Sequence, residues 1–256
     1  MKKLLALLLT AALVVTVFAG CGKNSSAESN NSSADSKKTI TMGTNATFPP
    51  FESVDDSGNI VGLDADIAAA IAEKLNMKLV IKDMDFDSLI PAVQGGSIDF
   101  AMAGMTVTEE RKESVNFTDT YAKGVQVVIV KEGSAIKTVD DLKGKKIGVQ
   151  TGTTGDSYCT GDYGQENVKQ FANGPLAVAA LQNDQIDCVV IDQQPAKAYV
   201  ASASGLKILE TAYADENYAI AVSKDNTELL NNMNKALSEL KAAGKIDEIV
   251  GKYIKE

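Results

Sequence analysis

The chain has 256 residues, 45% of them hydrophobic, enough for one large domain or two lobes of about a hundred residues each. It contains no histidine and no tryptophan, so the commonest general base and the commonest metal ligand are missing. A formal charge of −9 argues against nucleic acid as a partner, because that binding rests on clustered Lys and Arg.

The first segment reads as a processing signal. Lys2 and Lys3 precede the apolar run "LLALLLTAALVVTVF", which has signal-peptide length and is short for a membrane span. Ala19 and Gly20 then lead into Cys21. Small residues before a cysteine resemble the bacterial lipobox, in which the cysteine is lipidated and becomes the mature N-terminus; Phe18 stands where that motif more often has Leu. An ordinary secretory signal cleaved near Ala19 is the other reading. Residues 1–20 are thus the signal, and residues 21–37 a tether. The stretch "GKNSSAESNNSSADSKK" lacks apolar side chains, cannot pack, and as a flexible chain spans roughly 20–25 Å. Anchor, tether and globular body describe a protein held at the outer face of a membrane.

From Lys38 onward, strands alternate with helices. "TITMG" is a strand, and "DADIAAAIAEKLN" a helix with Ile67, Ile71 and Leu75 on one face. "KLVIKDM" is a strand, "FDSLIPAVQGG" a helix stopped by glycines, and "SIDFAMA" a buried strand. In "AGMTVTEERKE", Thr108 is an N-cap with Glu109 and Glu110 in the first turn. Arg111 follows at the positive end of that helix, where a cation costs ~0.3–1 kcal/mol. The alternation then recurs with "KKIGVQ", a helix after Gly155, "KQFA", "PLAVAALQND" and "QIDCVVI". Such βαβ units give a largely parallel sheet covered by helices.

The recurrence extends to residues. "AVQGGSIDFAMAG" (92–104) and "ALQNDQIDCVVID" (180–192) align without gaps, which supports two similar lobes. Gly104 and Asp192 become equivalent, each just beyond the carboxyl end of a strand, where open parallel sheets bind ligands. After the strand "YAIAVSK", Leu229, Met233, Leu237 and Leu240 repeat at helical spacing, and "IDEIVGKYI" is a further helix. If these return to the first lobe, the chain crosses between lobes twice, and a double crossover makes a hinge.

Arg111 is either a surface residue paired with Glu110 or Glu113, or an anion ligand acting with the N–H groups of the "GMT" loop. "VQTGTTGDS" supplies a second anion-friendly helix start at Thr153, Thr154 and Gly155, though it lacks the Gly-Lys-Ser/Thr ending of a P-loop. Asp192 closes an apolar strand, as a cap for "QQPAKAYV" or as the partner of a cation. One cation-binding Asp and one carboxylate-binding Arg form the polarity pattern of an α-amino acid. Phe48 and Phe51 flank Pro49 and Pro50 at the same edge, and Phe86 follows the second strand; they are core plugs or walls for an apolar stem or a guanidinium plane. Cys159 and Cys188 are a disulfide or buried free thiols. Two cysteines without histidine make a poor metal site, and neither metal nor cofactor is expected.

From about Lys38 to Glu256 the sequence resembles the family-three bacterial solute-binding proteins, which serve polar amino acid ABC importers. The likeness is carried by "GTNATFPPFE", "GNIVGLDADIAAAIAEKL", "DFDSLIPAVQGGSIDFAMAGMTVTEERKESVNFTDTY" and "DLKGKKIGVQTGTTG". It implies a two-lobed α/β type II periplasmic-binding fold, each lobe a mainly parallel sheet flanked by helices. Lobe 1 would comprise 38–120 and 219–256 and lobe 2 126–213, with hinges at 121–125 and 214–218. By position, Arg111, Thr106, Thr153 and Thr154 would hold the ligand carboxylate, and Asp192 and the Gly104 carbonyl the ammonium. Phe48, Phe86, Asn45, Ala103, Met105 and Gln150 would surround the side chain. Asn45 stands where many relatives have Asp. Gln150 and Ile191 stand where some glutamine binders carry Lys and His, and Leu63 replaces a frequent Phe. The aromatic pair is common among basic amino acid binders, so the expected ligand is free arginine or lysine.

The resemblance thus implies a monomeric lipoprotein, anchored through Cys21 on the extracytoplasmic face of the cell membrane, that passes its ligand to ABC transporter permease subunits. Two rivals are an amino-acid-sensing or adhesive lipoprotein and an enzyme like the cyclohexadienyl dehydratases. The enzyme needs an acid–base group in the cleft. Without histidine, and with Asp192 better explained as an ammonium partner, no enzymatic activity is expected.

Overall fold

The computed structural model describes residues 37–210 and 212–255. The expected signal segment, the lipidated Cys21 and the tether up to residue 36 lie outside the described residues. Among the described residues, no helix is long and apolar enough to cross a membrane.

Strand β1 (Thr39–Thr44) leads into the proline turn, where the Pro49–Pro50 bond is cis. A small antiparallel sheet of β2 (Thr47–Phe48), β3 (Glu52–Val54) and β4 (Ile60–Val61) follows. Helix α1 (Leu63–Lys74) buries Leu63, Ile67, Ala68, Ile71 and Ala72 at helical spacing. Its N-cap, Gly62, has φ 141°, and a Cβ there would lie 2.1 Å from the Phe51 carbonyl oxygen. Only glycine fits that entry.

The first half continues through β5 (Lys78–Asp83), a 3-10 turn (Phe86–Ser88) and α2 (Leu89–Gln94). Then come β6 (Phe100–Ala101), α3 (Glu109–Ser114) and β7 (Val115–Phe117). The second half contains β8 (Ala122–Lys131), β9 (Ile147–Gln150), α4 (Thr154–Tyr163), β10 (Val168–Phe171) and α5 (Gly174–Gln182). It proceeds through β11 (Cys188–Asp192), α6 (Gln193–Ser202), β12 (Leu206–Ile208) and β13 (Ala214–Tyr218). Strand β14 (Ala221–Ser223), α7 (Thr227–Ala242) and α8 (Lys245–Tyr253) close the chain.

The strands form two larger sheets. One has the order β5-β1-β6-β14-β7; the other runs β10-β9-β11-β8-β12, with β13 also paired to β8. The expected parallel ladders are β1 with β5 and β6, and β9 with β10 and β11. All remaining ladders in these two sheets are antiparallel, so each sheet is mixed rather than mainly parallel. The reason is the double crossing. The chain leaves the first sheet after β7 and returns through β14, and the strands that carry it across enter each sheet in the opposite sense. Residues 122–126 of β8 pair with β13 along the ladder Ala122↔Tyr218 to Gln126↔Ala214. The terminal helices pack on α1, and Met233, Leu237, Ile246 and Ile249 share a buried cluster with Ile67 and Ile71.

The internal repeat has a structural basis. Asp99 and Asp187 are its shared aspartates, and each accepts a backbone N–H at the foot of the neighbouring parallel strand. Thr41 N–H donates to Asp99 at 2.7 Å and Lys146 N–H to Asp187 at 2.8 Å. The preceding Ile98 and Ile186 each lie over a glycine: a Cβ on Gly43 or Gly148 would stand 2.4 or 2.3 Å from the isoleucine Cδ1. Gly96 and Asp184, also equivalent, both have positive φ (69° and 57°).

Cys159 and Cys188 are free thiols, buried in the core of the second sheet with Ile147, Val149 and Val190. The disulfide alternative is therefore set aside. Burial pushes the Cys159 thiol up to about 12 and raises that of Cys188 as well. Such thiols are inert packing groups.

Candidate ligand-binding site

A cavity lies between the two sheets. Asn45, Phe48, Phe86, Ala103, Gly104, Thr106 and Arg111 line it from one side, and Gln150, Thr153, Thr154 and Asp192 from the other. Met105 alone among the expected contacts is elsewhere. It is fully buried with Leu89, Val93 and Ala221.

Arg111 is held where the sequence left two readings open. Thr108 caps α3, its hydroxyl accepting from the Arg111 N–H at 3.1 Å. The guanidinium then turns inward. It donates through Nη1 to the Thr106 carbonyl (2.7 Å) and through Nη2 to the Gly152 carbonyl (3.0 Å), and stands 5.3 Å from the Phe86 ring centroid. Neither Glu110 nor Glu113 forms an ion pair with it. Two of its five N–H donors are used, so donors remain for an anion. Burial lowers its pKa, while Glu216 and then Asp192 favour its charged form. On the opposite wall, Thr153 caps α4 and its hydroxyl donates to the Gln150 carbonyl (2.8 Å). The N–H of Thr154, in the first turn of α4, has no intrahelical acceptor.

Asp192 occupies the N-cap position of α6 but makes no capping bond with its side chain. Its Oδ2 instead accepts from Gln126 Nε2 at 2.7 Å, and its buried Oδ1 has no partner among the described residues. The same Gln126 nitrogen donates to Glu216 Oε2 (3.0 Å), which also accepts from the Thr106 hydroxyl (3.0 Å). Burial, and next the neighbouring Glu216, raise Asp192 well above the ordinary carboxylate range.

Glu52 lines the cavity as well, and its side chain is fully buried. Beneath it Asp64 accepts from the Gly104 N–H (2.8 Å) and the Tyr121 hydroxyl (2.7 Å). Neither Glu52 carboxyl oxygen, nor Asp64 Oδ1, has a hydrogen-bond partner among the described residues. Burial raises Glu52 well above its usual range, with Asp64 adding to the effect, and burial also brings Asp64 to about 6. Gly104 has φ 54°, and a Cβ there would stand 3.0 Å from Phe48 Cε1, so the glycine lets this loop lie against the ring. Phe48 is stacked on Phe51, with centroids 5.9 Å apart.

Asn45 is fully engaged. Its amide donates to the Met84 carbonyl (2.9 Å), and its Oδ1 accepts from Thr47 (2.9 Å) and from Gln150 Nε2 (3.0 Å). Gln150 thus turns its Oε1 away as a free acceptor.

Glu52, Asp64 and Glu216 escaped the sequence reading because each looks locally like an ordinary surface acid, and Gln126 because it is one polar residue in the apolar run "VQVVIV". For Glu216 a signal existed: in "ADENY", Glu216 and Tyr218 alternate with Asp215 and Asn217, as in a half-buried strand.

The arrangement is a cavity with one guanidinium and helix-start N–H groups for an anion, and buried carboxyls for cations. Known proteins share this frame. An ancestral arginine-binding protein bound to glutamine superposes with a TM-score of 0.82 at 46% identity, over 86% of this chain and 99% of that one. The arginine-binding extracellular protein ArtP of Bacillus subtilis is 36% identical over 259 residues, 99% of this chain and 98% of its own. A probable histidine-binding protein of Neisseria gonorrhoeae is 37% identical over 260 residues, 99% of this chain and 96% of its own. Residues 40–256 match the sequence family described as bacterial extracellular solute-binding proteins, family 3. Fold and sequence agree, and the chain belongs to the bacterial extracellular solute-binding proteins of family 3.

Proposed function

We propose that this protein captures a basic L-amino acid, L-arginine in the first place, between its two lobes and passes it to an ABC importer. The observation that carries the choice of ligand is Glu52, a buried carboxyl on the cavity wall with no cationic partner among the described residues. Burying an unpaired acid is costly unless something compensates it. A guanidinium or ammonium entering the cavity does so. Gln150, one amide hydrogen tied to Asn45, keeps its Oε1 as an acceptor that a donor-only side chain can use.

Arg111 with the N–H groups of Thr106 and Thr154 receives the ligand carboxylate; Asp192 and the Gly104 carbonyl receive the ammonium. The Thr106 hydroxyl joins the ammonium side rather than the carboxylate side, because its one proton is committed to Glu216. Phe48 and Phe86 flank the side chain. Lipidation at Cys21 keeps the protein at the outer face of the cell membrane, and it acts as a monomer. The crossovers at 121–125 and 214–218 serve as hinges for closure. A binding role, not an enzymatic one, suits a cleft whose carboxyls and guanidinium all have ligand-holding work.

A thermal-shift series with the twenty amino acids on the purified full-length protein tests this. L-Arginine should give the largest stabilisation, since a ligand that binds only the folded state raises the melting temperature with affinity. A larger shift with a neutral or acidic amino acid defeats the choice of ligand, and no shift with any amino acid defeats the functional reading.

A further inference from the structure

We propose that Glu216 is a positioning residue of this cleft. From the second crossover strand it sets the direction of the hydrogen bonds at Thr106 and Gln126, so that Thr106 and Asp192 present acceptors to the ligand's ammonium. The inference rests on the amino-acid reading above and names the residue that gives the ammonium subsite its polarity.

The strand itself aims the side chain. In β13, Asp215 and Asn217 face solvent while Glu216 and Tyr218 point inward, Glu216 being 4% exposed. The "GMT" loop is fastened to the same strand from both sides, by Val107 N–H to the Asn217 carbonyl and Ala219 N–H to the Met105 carbonyl, both at 3.1 Å. Thr106 lies between those fastenings, opposite Tyr218; Glu216 directly precedes them in the strand, and its Oε2 receives both Thr106 Oγ1 and Gln126 Nε2 at 3.0 Å.

The proton count fixes the rest. A hydroxyl has one proton, and an ionised carboxylate has none to give. Thr106 therefore donates to Glu216, and toward the cavity its oxygen can only accept. Gln126 lies between Glu216 and Asp192 and turns Nε2 to both, at 3.0 and 2.7 Å. Held by that amide at Oδ2, Asp192 keeps Oδ1 unpartnered. Glu216 also supports the charge of Arg111 more than any other carboxylate does, so it tempers the pull of that guanidinium on an anion. Removing the Glu216 charge has opposite effects at the two ends of an amino acid.

The test compares L-arginine with 5-guanidinopentanoate, the same molecule without its α-amino group, by calorimetry on the full-length protein. Glu216→Gln should weaken L-arginine about tenfold, the effect of one disrupted charge-assisted contact, and leave 5-guanidinopentanoate unchanged or tighter. Thr106→Val, which leaves the charges in place, should also weaken L-arginine selectively. Its effect should be smaller in the Glu216→Gln background than in the wild type, because both changes act through one network. Equal losses for both ligands would mean a merely structural role and overturn the inference, as would undiminished L-arginine affinity in Glu216→Gln. A wild-type protein that binds no amino acid overturns the functional reading, and with it this inference.

Discussion

Arg111 and Gly152 meet across the cleft: Nη2 of the arginine donates to the glycine carbonyl at 3.0 Å. Arg111 belongs to α3 beside the first sheet, and Gly152 to the loop after β9 in the second. Gly152 has φ 74°, and a Cβ on it would stand 2.9 Å from Cβ of Asp87, again across the cleft. Gly152→Ala should therefore hinder approach of the lobes more than it harms either lobe. The expected result is at least tenfold weaker L-arginine binding by calorimetry, with unligated stability lowered by only about 1 kcal/mol. In small-angle scattering, ligand should shrink the radius of gyration of the wild type and have less effect on the variant. An unchanged wild-type radius at saturating ligand would count against hinge closure.

Arg111 itself joins three functions in one side chain, since it faces the cavity, stacks on Phe86 and bridges to Gly152. Arg111→Ala should cost ~1.5–3 kcal/mol or more of binding, at least a tenfold loss. Arg111→Lys keeps the charge but loses the planar fork, so it should recover only part of the affinity. Calorimetry decides; full affinity in Arg111→Lys would show that the fork is unnecessary.

Glu52 governs selectivity in the proposed function. Glu52→Gln removes the negative charge while keeping the shape of the side chain. L-Arginine and L-lysine should each lose about tenfold or more, and L-glutamine, which has no side-chain cation, should lose far less. A competition assay reads the ratio. A parallel loss for all three ligands would assign Glu52 to packing rather than recognition.

The helices were legible because their apolar spacing is regular, and Ile67 and Ile71 pack as the period requires. The lobe repeat was legible through Ile98–Asp99 and Ile186–Asp187, whose packing and hydrogen bonds recur in both halves. Strand β8 was not anticipated: "VQVVIV" is almost uniformly apolar, and such a run carries no alternation to mark it. "SIDFAMA" shrank to Phe100–Ala101, because only these residues find ladder partners on both sides. In the cleft, Arg111 and Asp192 stood out as charges in unusual places. Glu52, Asp64 and Glu216 did not, since a buried acid is defined by distant chain segments that cover it. Asp64 resembles any acid in a first helical turn until Gly104 and Tyr121 donate to it.

These buried acids predict opposite pH trends for stability and for binding. Burial holds Asp64 at about 6 against an ordinary 3.8, and raises Glu52 and Asp192 too. With folded pKa values above the unfolded ones, the folded state binds extra protons. The stabilisation is complete below the unfolded value and fades as pH rises through about 6, on the order of 2–3 kcal/mol for Asp64. The ligand-free protein should accordingly melt higher near about pH 5 than near about pH 7.5. Binding runs the other way. A guanidinium beside Glu52 and an ammonium beside Asp192 require carboxylates, so L-arginine must displace protons as it enters. Its affinity should fall on acidification over the same window. Calorimetry in buffers of different ionisation enthalpy should show net proton release, larger for L-arginine than for L-glutamine, which leaves Glu52 without a cation. Pairing a buried acid with a cation reverses the sign of its pH dependence, so an affinity unchanged across this window, with no protons released, would remove Glu52 and Asp192 from the ligand's charges.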